Sequence, residues 1–190
     1  MNVAEIVNVL MTNAKPFNEH LDFPTCPGIY SFILKKNSNL KEFGASDQVL
    51  YVGIAKDSLK KRDLGNHFNN MGTGRSTLRR SLGAILKKDL GLTAFSRNGK
   101  NSKREIINYT FDVNGEVALT KWILQNLNIG YWKDEQSFPY SKLRELEEEV
   151  IKLLRPTLDL DARTKKYNIL GVKLDELRLI CRLEAENAFK

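Results

Sequence analysis

Apolar residues return along this chain with two different periods. Over residues 2–12 they recur at helical spacing, and Pro16, Pro24 and Pro27 then interrupt the chain before the first extended run. Residues 29–34 and 49–54 are dominated by β-branched and aromatic side chains, which predicts two neighbouring strands joined by a polar loop around Lys35-Lys36-Asn37-Ser38-Asn39. Period-two geometry groups Tyr30 with Phe32 and Leu34, and Tyr51 with Val49. Ser76 is placed to cap a helix in which Leu78, Leu82, Ile85 and Leu86 share a face, leaving Arg80 and Lys87 pointing outward.

Beyond that helix, residues 95–104 are rich in Ser, Asn, Gly and Lys and read as a mobile loop. A strand through Ile106, Tyr109, Phe111 and Val113 follows, with a turn at Asn114-Gly115. A helix over 117–127, a short strand over 128–132, a helix ending at Pro156 and an amphipathic helix over 174–189 complete the chain, and no internal repeat is evident. This order predicts an α/β protein.

A chain of 190 residues is long enough to bury most of its apolar surface in one core. Cys26 and Cys181 stand far apart without metal-ligand spacing, which favours free thiols and a reducing setting. The apolar runs are too short to span a membrane and the N-terminus lacks a signal-peptide pattern, so a cytoplasmic location is expected.

The net charge is +7. Its excess is concentrated: Arg75, Arg79, Arg80, Lys87, Lys88, Arg97, Lys100, Lys103 and Arg104 crowd a stretch whose one acid before Glu105 is Asp89. Such a run is either a solvated face or a surface that meets phosphates.

Glu147 invites chemistry on its own. Leu143, Leu146, Val150, Ile151, Leu153 and Leu154 define an apolar stripe at about 100° per residue, and Glu147 projects from its middle. A carboxylate there is costly unless it is paired with a buried Arg or Lys or bound to a metal.

Gly28-Ile29-Tyr30 and Tyr51-Val52-Gly53 each set a tyrosine beside a glycine on an expected strand, and Lys60-Lys61-Arg62 and His67 follow. Glu147 stands nine positions before Pro156 and twelve before Asp159. Together, over about residues 27–160, these motifs resemble the GIY-YIG nuclease superfamily. The resemblance implies a small mixed or antiparallel sheet flanked by helices, an α+β sandwich over residues 27–162, with helical extensions over 1–26 and 163–190.

It also implies hydrolysis of phosphodiester bonds in DNA, RNA not being excluded, with Mg²⁺ or Mn²⁺. Tyr30 or Tyr51 would activate or position the nucleophile, Arg62 would neutralise the phosphate, His67 would complete the set, and Glu147 would hold the metal. Lys56, Arg75, Arg79, Arg80, Lys87, Lys88, Lys100, Lys103 and Arg104 would grip nucleic acid. Specificity would come from the chain's own loops, a protein partner or a homodimer.

Three departures stand out. The gap between the tripeptides is long, the lysine that many members carry after the second glycine is Ile54, and the family's metal-side asparagine is Asp159. Arg62 and His67 are five apart rather than four, so either a bulge at Gly65 restores their convergence or Asn66 faces the site instead; Asp63 is placed to orient the imidazole. The competing reading is a binding module on the same fold that has lost catalysis. A structural, partner-binding role leaves the tyrosines and Glu147 unexplained.

Overall fold

The computed structural model describes residues 2–17, 23–62, 67 and 71–189, apart from the side chain of Arg62. Helix α1 (Val3–Thr12) opens with a capping box, in which Asn2 accepts from Ala4 N and Glu5 reaches back to Asn2 N. Strand β1 (Lys15–Pro16) follows, then the long pair β2 (Gly28–Leu34) and β3 (Val49–Ala55). With β6 (Leu127–Lys133) these form a fully antiparallel sheet in the order β1-β6-β2-β3, so β3 is an edge strand.

The period-two expectation holds for β2 and fails for β3. Tyr30, Phe32 and Leu34 lie together in one apolar cluster, while Ile29 and Ile33 lie in the other. On β3 the register jumps: Phe32 pairs with Tyr51 and Ile33 with Val49, leaving Leu50 as an extra residue. This β-bulge breaks the alternation. Val49 therefore joins the second cluster, while Leu50 and Tyr51 both join the first, and the bulge delivers Tyr51 to the face that carries Tyr30.

Helices cover both faces. Helices α1 and α6 (Tyr140–Leu154) pack on one side, burying Ile6, Leu10, Leu143, Leu146, Val150 and Ile151. On the other side lie α3 (Thr77–Leu86), α5 (Val113–Asn126) and α7 (Gly171–Asn187), reached after the short α2 (Leu59–Arg62). Helix α7 packs against α3 and buries Leu174, Cys181 and Ala185, so the segment expected to be an extension shares the main core.

Ser76 caps α3 as expected, its hydroxyl accepting from Arg79 N. The expected outward basic face of α3 does not exist, because every residue from Leu78 to Leu86 is buried among its neighbours. Nor is 95–104 a loop throughout. It contains the end of β4 (Ala94–Phe95), a 3₁₀ turn over Arg97–Gly99 and the start of α4 (Lys103–Ile107).

The strand expected over 106–113 shrinks to β5 (Thr110–Phe111), which pairs with β4, and Asn114-Gly115 lies inside α5 rather than in a turn. The cause is Glu116, whose carboxylate accepts from Phe111 N and Thr110 Oγ1 and so ties the first turn of α5 to β5. Both cysteines are free thiols, and no described helix is long and apolar enough to cross a membrane.

Candidate active site

A cavity of about 560 Å³ opens at the β3 edge of the sheet. Tyr51, Val52, Gly53 and Ile54 line it from β3, Tyr140, Arg144, Glu147 and Ile151 from α6, Thr77 and Arg80 from α3, Arg178 from α7, and residues 159–161, 163 and 164 from the loop after α6. Because no strand lies beyond β3 among the described residues, helices from both faces of the sheet reach around its edge to one space.

The two tyrosines occupy different depths. Tyr51 lines the cavity, whereas Tyr30 is wholly buried, with their ring centroids 6.2 Å apart. Tyr30 sits opposite Gly53 across the β2/β3 pair, and a Cβ at Gly53 would lie 2.5 Å from the Tyr30 hydroxyl. Glycine is required there. Since Gly53 itself lines the cavity, the bare backbone leaves the Tyr30 hydroxyl directly behind the cavity wall.

His67 is buried beside both rings, its Nε2 2.9 Å from Tyr30 Oη and its Nδ1 2.8 Å from Ser76 Oγ. The imidazole is thus held between two hydroxyls. His67 thus joins the two tyrosines, while its convergence with Arg62 lies outside the described residues. Residues 63–66, which carry the expected bulge at Gly65 and the Asp63 and Asn66 alternatives, lie outside the described residues, as does the Arg62 side chain at the end of α2.

Glu147 occupies the buried face of α6 as its stripe predicts, although Leu153, expected in that stripe, is exposed. Burial raises the pKa of Glu147 above the ordinary carboxylate value, and the guanidinium of Arg163, which donates from Nη2 to Glu147 Oε2 at 2.9 Å, opposes the rise. The pairing with a cation that was the alternative to metal binding is therefore present, with a partner that the periodicity of α6 does not reveal. Arg163 also lies within ion-pair distance of Glu148 and Asp161.

Helix α6 stops where Arg155 turns to a left-handed conformation (φ 47°) just before Pro156. The chain then runs along the free edge of β3, where Leu158 N donates to Leu50 O and Asp159 Oδ2 accepts from Val52 N at 3.2 Å. Asp159 is buried, and desolvation raises its pKa well above the usual range, with the nearby Glu147 and Asp161 adding to the rise. In its protonated form this carboxyl offers a carbonyl acceptor and one O–H donor, where an asparagine amide offers a carbonyl acceptor and two N–H donors.

Two arginines complete the walls. Arg80 and Arg178 are 8% and 5% exposed, and neither forms an ion pair with a carboxylate among the described residues. Arg80 donates to the carbonyls of Thr73 and Gly74 and to Thr77 Oγ1, yet its Nε has no partner. Arg178 lies beside the Tyr109 hydroxyl, which itself donates to the backbone carbonyl of Arg80 at 2.7 Å, and the Nε of Arg178 also lacks a partner.

The expected nucleic-acid-binding residues divide into three groups. Arg79 is a correction: it is 0% exposed, bonded to Glu116 Oε2 at 2.6 Å, to Thr120 Oγ1, to Thr73 Oγ1 and to the carbonyl of His67, so it organises the interior and does not reach a ligand. Arg80 faces the cavity and not the outer surface that the helical periodicity gave it, which leaves its expected part in nucleic-acid binding standing. Lys87 is partly buried and paired with Glu184, while Lys56, Arg75, Lys88, Lys100, Lys103 and Arg104 are exposed. Lys56 lies 5.6 Å from the Tyr140 ring at the cavity mouth.

Arg163, Arg178, Tyr140 and Arg144 are cavity residues that the sequence reading missed. Only Tyr140 carries a local signal, as the first residue of the helix that bears Glu147.

A divalent metal fits this donor set in part. Among the described residues no three His, Cys, Asp or Glu side chains converge as a metal cluster. Magnesium, however, is commonly held by one or two carboxylates with water and substrate phosphate making up the rest. Glu147 meets that requirement, with Asp159 beside it.

No curated protein and no solved structure gave a significant match to the chain. Residues 23–178 match the family model described as the GIY-YIG catalytic domain, a span that holds every residue lining the cavity, and the chain belongs to the GIY-YIG family.

Proposed function

We propose that this member of a nuclease family is a metal-dependent endonuclease that hydrolyses phosphodiester bonds in DNA. The observation that carries the reading is the chain Tyr30 Oη to His67 Nε2 and His67 Nδ1 to Ser76 Oγ, set immediately behind a cavity that also holds Tyr51 and Glu147.

Hydrolysis needs a water oriented in line with the leaving oxygen, a group to take its proton and positive charge over the phosphoryl oxygens. Tyr51, in the cavity, orients the water. Tyr30 takes the proton from the direction of Gly53 and passes its own phenolic proton to His67 Nε2, while the Ser76 hydroxyl steadies Nδ1. Arg62 and the cavity arginines meet the phosphate. A divalent cation on Glu147, when bound, would supply Lewis-acid stabilisation of the phosphoryl and leaving oxygens.

A second reading, a nucleic-acid-binding module without catalysis, is favoured by the Arg163 to Glu147 ion pair, which already satisfies one carboxylate oxygen. Nicking of supercoiled plasmid with Mg²⁺ or Mn²⁺, against an EDTA control, separates the two. The nuclease reading requires metal-dependent nicking that Glu147→Gln and Tyr51→Phe abolish. Retained DNA binding without any nicking gives the second reading.

A further inference from the structure

The geometry points to Arg80 and Arg178 as a built phosphate-binding subsite, one that holds a phosphate of the nucleic-acid backbone inside the cavity. It rests on the nuclease reading only in assigning that phosphate to a nucleic acid. The two side chains come from helices α3 and α7, more than ninety residues apart in the chain, yet line the same cavity.

Arg80 and Arg178 are each more than nine-tenths buried and, among the described residues, neither forms an ion pair with a carboxylate, Asp175 acting on Arg178 only from beyond that distance. The contrast with Arg79 is direct: the neighbouring residue on the same helix is buried to a similar degree and fully neutralised by Glu116. Leaving two cations buried and unmatched, each with an orphaned Nε, costs folding free energy. An anion in the cavity offsets that cost.

The electrostatics agree. Desolvation first, and then the neighbouring Arg178, push Arg80 down to about 10, while Arg178 is lowered chiefly by its own burial. Two guanidiniums that repel each other across a solvent-connected cavity are a site for an anion with several acceptor oxygens, and the planar donor fork suits phosphate. Tyr109 braces the pair, donating to the backbone of Arg80 and lying beside Arg178, so the site is set before a ligand arrives. Glu147 and Asp159 line the same cavity, so the held phosphate lies within the space of the proposed cleavage chemistry rather than on an outer DNA track.

The test uses the full chain without metal, in EDTA. Thermal unfolding is followed against inorganic phosphate at constant ionic strength, with chloride as the balancing anion, and labelled duplex binding is followed by fluorescence anisotropy. The variants are Arg80→Met, Arg178→Met and, as a control on an exposed face of α5 outside the cavity, Lys121→Met.

Wild type and the control should show a phosphate-dependent rise in midpoint that both arginine variants lose. The arginine variants should also weaken duplex binding about tenfold, as expected for loss of a charge-assisted contact. If Arg80→Met fails to fold, Arg178→Met carries the test alone. An equal phosphate response in wild type and Arg178→Met, or no response in wild type, overturns the subsite. Phosphate binding without nicking leaves the subsite standing and defeats the nuclease reading, whereas nicking with unaltered phosphate and duplex binding in the variants does the reverse.

Discussion

Arg163 donates to the same carboxylate that the GIY-YIG resemblance assigns to a metal, its Nη2 lying 2.9 Å from Glu147 Oε2. A buried carboxylate is held in its ionised form by a counter-charge nearby, and Arg163 supplies one to Glu147. The same guanidinium, part-exposed on the loop after α6, is held by Glu148 and Asp161 as well, so it has partners to retain if Glu147 turns to a cation.

Glu147→Gln keeps an acceptor for Arg163 but removes the charge. It should reduce metal-dependent nicking by about 10²-fold or more, in the range for loss of a group acting in the transition state, with urea denaturation showing an unchanged fold. Arg163→Gln should lower the Mg²⁺ concentration needed for half-maximal nicking, because the metal no longer competes with a resident cation. A metal titration that is unmoved in Arg163→Gln would mean the ion pair is not in competition with metal.

Ser76 has two tasks, capping α3 through Arg79 N and holding His67 Nδ1. Ser76→Ala should cost about 1 kcal/mol through the lost cap and also alter the pH dependence of nicking. Ser76→Asp restores a cap acceptor but presents the imidazole with a carboxylate, so the pH profile of nicking should differ from that of wild type while the cap is kept. If both variants change stability alone, with pH profiles that superimpose on wild type, Ser76 is a cap and nothing more. Tyr30→Phe should impair nicking while leaving the unfolding midpoint close to wild type.

Asp159 gives the stability a pH dependence whose sign follows from its burial. Its folded-state pKa lies well above the ordinary 3.8, so between the unfolded and folded values the native state binds the proton more tightly. Stability from this group is present at low pH and is lost as pH rises through that window. Asp159→Asn keeps an acceptor for Val52 N and cannot ionise. It should be more stable than wild type at pH 7, with the advantage vanishing near pH 4. Urea denaturation at a series of pH values measures this, and a constant difference across pH would refute it. Glu147, also raised by burial, contributes a slope of the same sign that remains in the variant.

Arg79 and the exposed cations should part company in DNA binding. Arg79→Met strands the buried Glu116 charge and should cost about 3–5 kcal/mol, whereas adding Glu116→Gln should recover much of the loss, giving a large coupling in a double-mutant cycle. Replacing Lys100, Lys103 and Arg104 by alanine should instead leave stability nearly unchanged and flatten the log-log salt dependence of duplex binding by about one unit per lost contact. Identical slopes for wild type and the triple variant would assign those side chains to solvent.

Much of this protein is determined by short-range pattern. The strands of the two tripeptides, the Ser76 cap, the buried stripe of α6 carrying Glu147 and its end before Pro156 all follow from local periodicity and capping chemistry, and each is found where those rules place it. Tertiary packing decided the rest. A β-bulge at Leu50, invisible to a period-two reading, turned Tyr51 toward Tyr30, and a buried carboxylate on Glu116 drew Asn114-Gly115 into a helix where the local sequence suggests a turn.

The cations show the limit most plainly. Arg75, Arg79 and Arg80 are alike in a sequence, but one is exposed, one is neutralised in the interior and one faces the cavity. Which fate each meets depends on what α5, α7 and the β4/β5 pair bring against α3. Arg163 and Arg178 likewise reach the cavity only because the chain after α6 returns along the free edge of β3 and α7 packs on α3. A charge's partner is chosen by three-dimensional proximity, and residues brought together from distant segments leave no periodic trace in the chain.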